Sequence, residues 1–395
     1  MKVLVLTFYF RPDLSAGSFR ATPLVDHLRE MMPPGSQIDV ITTLPNRYHS
    51  FTADAPHSEE LPGVSIFRIA LPLHKSGMID QSRAFYAFSR GAIRRVGTQK
   101  YDIVFATSSR LMTAVLAAYI ARRSGAKLYL DIRDIFVDTM KDVASSLSWL
   151  ISPVSGRLEQ WAIGRAAKVN LVSPGFAEYF SKRYPNKRFS FITNGIDEEF
   201  VAASSDLDSQ EPRSLGRPRV VLYAGNLGEG QGLHEIVPHL AKRLGPKVHF
   251  KIIGDGGRKE ALRAALSKHG VENAELLPPM GRKELVEAYK AADVLFLHLN
   301  DYPAFRKVLP SKVFEYGAMG KPVWAGVSGF AATFVKTELS NTAVFDPCDV
   351  EGAVRSFDEL RFENTPRNDF VRKYSRARVT RELAKDILSI ADARA

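Results

Sequence analysis

Short apolar runs alternating with amphipathic helical stretches fill both halves of this 395-residue chain. That alternation constrains the fold more than any single motif does. A run such as residues 2–10 is apolar on both faces, and such a strand is stable inside a parallel sheet covered by helices on each side. The first half reads as strands at 2–10, 37–42, 64–70, 101–106, 127–132, 168–172 and 189–192. The second reads as strands at 220–224, 248–253, 275–277, 294–299, 323–325 and 342–345. Residues 203–218 between them are rich in Ser, Asp and Pro and lack apolar periodicity, as a linker does. A chain of this length exceeds one typical core. The expected architecture is therefore α/β with two Rossmann-like parallel-sheet domains, 1–202 and 219–375, joined by the linker 203–218. Ligands of such folds gather outside the carboxyl ends of the strands, so the two domains are expected to face a central cleft.

Composition narrows the function classes. No apolar run reaches the ~20 residues a membrane-crossing helix needs, and the apolar N-terminus reads as a first strand, not a signal peptide. The lone cysteine, Cys348, excludes internal disulfides and fits a reducing compartment. A net charge of +11, about two-thirds of it in the first 200 residues, favours anionic partners. Nucleic acid is not expected, because no zinc-finger spacing or RNA-binding aromatic motif is present. Residues 81–96 interleave Phe85, Phe88 and Ile93 with Arg83, Arg90, Arg94 and Arg95. This pattern suits a helix on an anionic membrane and equally a core helix with a solvated basic face. Trp149, Leu150, Ile151 and Trp161 are expected to face an acceptor or a membrane, and 46–62 reads as a polar loop.

Chemistry collects in five places, each after a strand. The loop 11–20 contains Gly17. The strand 127–132 runs into Arg133 and Asp134, where Arg133 suits a phosphate or sugar hydroxyl and Asp134 an acceptor hydroxyl. Four glycines crowd 225–232, which lets backbone N–H groups approach a ligand. Gly254 and Asp255 follow the next strand. The segment 309–323 reads as a Ser311 N-cap, a helix of about three turns, a stop at Gly320 and punctuation at Pro322. A helix start holds phosphate, and Lys312 in its first turn is unfavourable unless an anion compensates it. Glu315, one turn on, is placed for sugar hydroxyls. An ordinary helix with a surface Lys and Glu remains the plainer alternative on these residues alone.

The pairs Gly225-Asn226 and Gly254-Asp255, the block Pro310-Ser311-Lys312 with Glu315-Tyr316, and Thr193-Asn194-Gly195-Ile196-Asp197 occur in the order found in family 4 GT-B glycosyltransferases. The chain resembles that family over essentially its whole length. With Thr7-Phe8-Tyr9-Phe10 and Arg133-Asp134, it is most similar to a bacterial subgroup that builds O-antigen, capsule or colanic-acid-type polysaccharides. The resemblance implies retaining transfer of a sugar from a nucleotide-diphosphate donor, UDP-linked, with no metal or other cofactor. It implies a polyprenyl-diphosphate-linked saccharide acceptor, and a cytoplasmic enzyme held peripherally on the anionic inner face of the membrane. The acceptor would lie on the first domain and the donor on the second, with the last helix, about 376–395, crossing back to the first.

Carried over by residue, the resemblance has Glu315 bind the ribose and Ser311 and Lys312 hold the diphosphate. Gly17 admits the donor phosphates, Gly225, Asn226 and Gln231 line their pocket, and Gly254 and Asp255 form its rear wall. Pro279 and Met280 border the base. Arg133, Asp134 and Lys312 would be catalytic. Three departures stand out. Asn226 and Gln231 occupy positions where many members carry Arg and Lys, leaving Lys312, Lys307 or Arg306 to compensate. Lys307 stands where the family has the first of two Glu spaced by seven, which points to a deoxy- or acetamido-sugar. Arg133 replaces a His. Two rival readings share the scaffold: a nucleotide-sugar-binding protein without transferase activity, and a UDP-sugar 2-epimerase.

Overall fold

The computed structural model describes residues 1–13, 15–45, 55–72, 78–108, 110–135, 148–204 and 216–392. Positions 46–54 of the polar loop, 205–215 of the linker and 393–395 of the last helix lie outside the described residues, as do the side chains of Trp149, Leu150 and Ile151. The chain forms two compact units, Met1–Asn194 with Ala377–Ala395, and Gly195–Arg376. The division falls at 194/195 because the helix Glu198–Ser204 packs with the second unit. Its Phe200 is fully buried and stacks on Tyr289 with ring centroids 5.6 Å apart.

The first unit holds an eight-stranded sheet. Its strands are β1 (Lys2–Leu6), β2 (Gln37–Thr43), β3 (Ser58–Leu61), β4 (Val64–Ile69), β5 (Ile103–Ser108), β6 (Lys127–Ile132), β7 (Lys168–Leu171) and β8 (Phe189–Ser190). They lie in the order β3-β4-β2-β1-β5-β6-β7-β8. Only β3 pairs antiparallel, on β4. β1 and β5 are neighbours although the chain visits β2 to β4 between them, so the crevice of this unit opens outside their carboxyl ends. The last helix, Arg376–Asp392, closes the core: Val379, Leu383 and Ile387 are buried among Val3, Leu24 and Ile103. Asp386 on that helix accepts from the Ser190 hydroxyl at 2.7 Å and pairs with Lys168.

A buried ion pair fixes the carboxyl edge of this sheet. Arg20, on the helix Ala16–Met31, is fully buried and donates through Nε and Nη2 to the two oxygens of Asp131, each at 2.8 Å. Nη1 donates to the carbonyl of Thr193 at 2.6 Å, and Nη2 also donates to that of Ile192 at 2.9 Å. Asp131 also accepts from the Thr107 hydroxyl and the Asn170 amide. Helix, β5, β6, β7 and the segment leaving β8 thus share one satisfied charge pair. Burial alone would raise the Asp131 carboxyl, but Arg20 and these hydrogen bonds outweigh it and hold the group below the ordinary range.

The basic helix runs from Met78 to Val96. Ala84, Phe88, Ala92 and Val96 form its buried face, and Phe88 meets Phe8 edge-on at 5.2 Å. Arg95 lies over the Phe67 ring at 3.4 Å. The exposed stripe left over is Arg83, Arg90 and Arg94 around Tyr86, which is 64% exposed. The aromatic Phe88 therefore belongs to the core, and the basic face stands apart from it.

The second unit holds β9 (Arg219–Asn226), β10 (Val248–Asp255), β11 (Ala274–Leu277), β12 (Val294–His298), β13 (Val323–Gly326) and β14 (Thr342–Phe345). All pair in parallel, in the order β11-β10-β9-β12-β13-β14. The switch point lies between β9 and β12. Trp324 anchors the core on one side of the sheet among Phe250, Phe296, Phe345 and Phe357, with its indole N–H on Ser356 at 3.0 Å.

Removing one partner of a buried pair leaves the other charge stranded, at about 3–5 kcal/mol. Arg20→Met should lower the stability of the first unit by that amount, read as an earlier first transition in urea denaturation.

Candidate active site

At the switch point of the second unit, two loops are stitched together. Asn300, after β12, donates its backbone N–H to the Gly230 carbonyl at 2.9 Å and its side-chain amide to the Glu229 carbonyl at 3.0 Å. The glycine-dense loop is filled by the chain's own side chains. A methyl at Gly230 would strike Phe305 at 2.7 Å, and one at Gly232 would meet Asn300 at 3.0 Å. This corrects the expectation that all four glycines there make room for a ligand. Asn226 donates to Gln231 Oε1 at 2.8 Å, and the same oxygen accepts the Gly228 N–H at 3.2 Å. The two amides in place of cations therefore staple the loop to itself.

Gly225 and Gly254 are cross-strand partners. Gly254 has φ +148, and a Cβ there would lie 1.9 Å from the Gly225 carbonyl oxygen, so glycine is required at this approach. A Cβ at Gly225 would in turn sit 3.4 Å from Lys312 Cε. Sequence-distant Gly225, Asn226, Gln231, Gly254 and Lys312 thus meet at one sheet edge. Asp255 is paired with Asn226 by register, and its carboxylate accepts the N–H of Gly256 at 2.9 Å. Pro279 and Met280 follow β11 at the same edge, with Met280 packed on the core. Lys307 ends the turn Pro303–Lys307, which packs against the helix Gly329–Glu338.

The helix expected over three turns spans only Lys312–Ala318. Ser311 has helical backbone angles and its side chain makes no capping hydrogen bond, which corrects the N-cap reading. With seven residues, the helix lends little field, and the charge of Lys312 itself matters more. Lys312 Nζ donates to Glu315 Oε2 at 2.8 Å, and Tyr289 donates its hydroxyl to the same oxygen at 3.0 Å. Arg282 faces the other oxygen, Oε1, at 3.7 Å. Tyr316, also on this helix, accepts the Ala224 N–H and so ties it to β9.

In the first unit, Gly17 and Arg133 come together: a Cβ on Gly17 would lie 3.1 Å from Arg133 Nη1 and 3.3 Å from the Tyr9 ring. Gly17 lies in the first turn of the helix that Ser15 caps through the Ser18 N–H. Asp134 is half-buried, and burial pushes its carboxyl up to about 6 against the pull of Arg133. Among the described residues, no three His, Cys, Asp or Glu cluster as a metal site would.

Sequence reasoning passed over His298, Arg282 and Tyr289, which read as ordinary strand-end and helix positions. His298 is 1% exposed. Its Nε2 accepts the Cys348 N–H at 3.1 Å, so Nδ1 carries the hydrogen given to the Gln231 carbonyl at 2.7 Å. The neutral ring is the form these partners require. Burial pushes its pKa down to about 4, the Gln231 hydrogen bond opposing. Between pH 6.5 and about 4 the unfolded chain binds a proton that the folded form refuses. Stability at this residue is complete above 6.5 and declines as pH falls toward 4. His298→Gln should remove about 3 kcal/mol of that decline, measured by denaturant melts across the range.

The Glycosyltransferase Family 4 model matches residues 25–200, and the Glycosyl transferases group 1 model matches residues 204–378. WcaI of Escherichia coli (strain K12), named as a glycosyl transferase of colanic acid biosynthesis, is 24% identical over 229 residues. The match takes in 56% of this chain and 56% of that protein, so the chain spans about half the length of this curated relative. Sucrose-phosphate synthase from Thermosynechococcus elongatus aligns with a TM-score of 0.76 at 14% identity, over 100% of both chains. Anabaena Alr3699/HepE, solved with UDP-glucose, aligns at 0.64 and 16% identity, over 98% of this chain and 100% of that one. These two structures share the fold of two parallel-sheet units. With a Family 4 domain followed by a group 1 domain on that fold, the chain belongs to the GT-B glycosyltransferases.

Proposed function

We propose that this protein transfers a sugar, with retention, from a UDP-sugar to a lipid-linked saccharide in cell-envelope polysaccharide synthesis. The observation that carries the reading is the convergence of Lys312 and Glu315 with Gly225 at the switch point of the second unit. A diphosphate placed against Gly225 draws on the Lys312 ammonium, and the ribose hydroxyls donate to Glu315. The bound UDP-glucose of the Anabaena protein supports a uridine diphosphate donor. Pro279 and Met280 border the base.

As the bond from the anomeric carbon to the leaving phosphate oxygen breaks, negative charge grows on the diphosphate and positive charge on the sugar ring. Lys312, already held at the edge, stabilises the leaving group more in that state than in the ground state. The acceptor oxygen forms its bond on the face the diphosphate leaves. The acceptor's proton passes to the departing phosphate oxygen, which balances the step without a metal or other cofactor. Arg133 and Asp134 of the first unit suit the acceptor: above about pH 6 the Asp134 carboxylate accepts its hydroxyl, and Arg133 meets its phosphate. Lys307 in the place of a family Glu supports a deoxy- or acetamido-sugar.

The self-stapled pair Asn226 and Gln231 favours a second reading, a nucleotide-sugar-binding protein without turnover. Incubation with UDP-, GDP- and dTDP-sugars plus a polyprenyl-diphosphate saccharide separates the two. Transfer with UDP release is expected; binding without release in every combination would leave the second reading. Glu315→Ala removes charge-assisted hydrogen bonds of about 1.5–3 kcal/mol, so calorimetry should show UDP binding about 10- to 150-fold weaker. Unchanged affinity would defeat the ribose assignment.

The stripe Arg83, Tyr86, Arg90 and Arg94 is the face we assign to the inner, cytoplasmic leaflet of the membrane. Among the described residues no helix is long and apolar enough to cross a bilayer, so attachment would be peripheral. Three cations near anionic lipid contribute about 1 kcal/mol each. Arg83→Glu, Arg90→Glu and Arg94→Glu together should abolish sedimentation with anionic liposomes, whereas Arg95, packed on Phe67, should matter little.

A further inference from the structure

The carboxylate of Glu315 has its two oxygens in different company. Oε2 is shared by Lys312 Nζ at 2.8 Å and the Tyr289 hydroxyl at 3.0 Å. Oε1 faces Arg282 Nη1 at 3.7 Å, inside the range of charge attraction and outside hydrogen-bond distance. Oε1 therefore feels a cation while keeping its lone pairs for another donor. When Lys312 turns to a diphosphate, Arg282 is the cation left beside Glu315.

Arg282 is itself held firmly. Its side chain is 17% exposed, lies over the Phe200 ring at 5.1 Å, and pairs through Nη2 with Asp197 Oδ2. The other oxygen of Asp197 takes Arg376 Nε at 2.8 Å. Asp197 and Arg376 lie on the two segments where the chain passes between its units. Those segments are paired to each other: Ile196 N–H donates to the Tyr374 carbonyl and Arg376 N–H to the Ile196 carbonyl, both at 2.7 Å. A Cβ on Gly195 would strike Arg376 Cα at 2.9 Å, so the pairing is close enough to require glycine there. Burial works against the Arg282 charge, yet Asp197 and Glu315 hold the guanidinium above its ordinary range.

We infer that Arg282 is a positioning residue for donor recognition: it orients Glu315 Oε1 toward the ribose diol and ties that carboxylate, through Asp197, to the paired crossover segments. A planar fork can face two carboxylates at once, which a lysine ammonium at the end of a flexible stem does not do equally well. The inference rests on the reading that Glu315 receives the ribose.

The test compares affinities for UDP and 2′,3′-dideoxy-UDP in the full chain, by calorimetry, for native protein, Glu315→Ala, Arg282→Lys and Asp197→Asn. Arg282→Lys keeps a buried cation, and circular dichroism and a melt verify its fold. Native protein should prefer UDP by roughly tenfold or more, the worth of charge-assisted hydrogen bonds. Glu315→Ala should bring that preference near unity. Arg282→Lys should cut it at least threefold, and Asp197→Asn should cut it less, with affinity for the dideoxy ligand unchanged in both. A general loosening of the unit would instead weaken both ligands alike, which would overturn the inference. A Glu315→Ala preference near unity beside a native-like Arg282→Lys preference would overturn it too, leaving the ribose assignment standing. A native-like preference in Glu315→Ala would overturn the ribose assignment and this inference with it.

Discussion

The carboxylate of Asp197 is the interaction on which most of the second unit's edge depends. One oxygen holds Arg376 and the other Arg282. The first contact fastens the returning crossover segment to the outgoing one. The second carries the same charge inward to the helix that Tyr289 shares, and so to Glu315. Asp197, Arg282 and Arg376 keep only 11–17% of their side-chain surface exposed, so water screens them weakly. In such surroundings an unpaired charge is costly, so the partners constrain each other's positions more strongly than surface pairs would.

The first unit reaches the same end with different residues. Arg20 and Asp131 are both fully buried, and every hydrogen bond of the guanidinium that faces inward meets a carboxylate or a carbonyl. The pair binds the ends of three neighbouring strands to the helix that follows β1. Arg133 and Asp134 are only two and three residues beyond Asp131, so their backbone is set by that lock. A carboxylate that must stay charged thus lies next to one whose proton comes off near pH 6, and the difference is the cation each one meets.

The departures from the family pattern gain meaning from the geometry. Asn226 and Gln231 do not leave a hole where cations are absent; they satisfy each other and close the loop. His298 supports that loop from beneath, through a ring whose two nitrogens are both committed in the neutral state. With Asn226 and Gln231 uncharged and stapled to each other, Lys312 is the cation that stands against Gly225. Lys307 ends the turn that packs against the helix after β13.

The sequence by itself determined the two parallel sheets, because runs apolar on both faces have no other stable use, and strands alternating with helices order themselves in a few ways. It also determined which loops carry the chemistry, since glycine, proline and charge collect after strands: Gly225, Gly254, Lys312 and Glu315 were all legible as candidates. What it did not determine is partnership. Arg282, Tyr289 and His298 carry no local mark, being one more basic, aromatic or imidazole residue on an ordinary helix or strand. Nor could the pattern around Ser311 show that the helix is short and its serine not a cap. Contacts between residues 85 or 179 positions apart, such as Arg282 with Asp197 or Arg376 with Asp197, exist only after the sheet has formed. Burial then decides which charges must pair, and only the tertiary structure sets who is within reach.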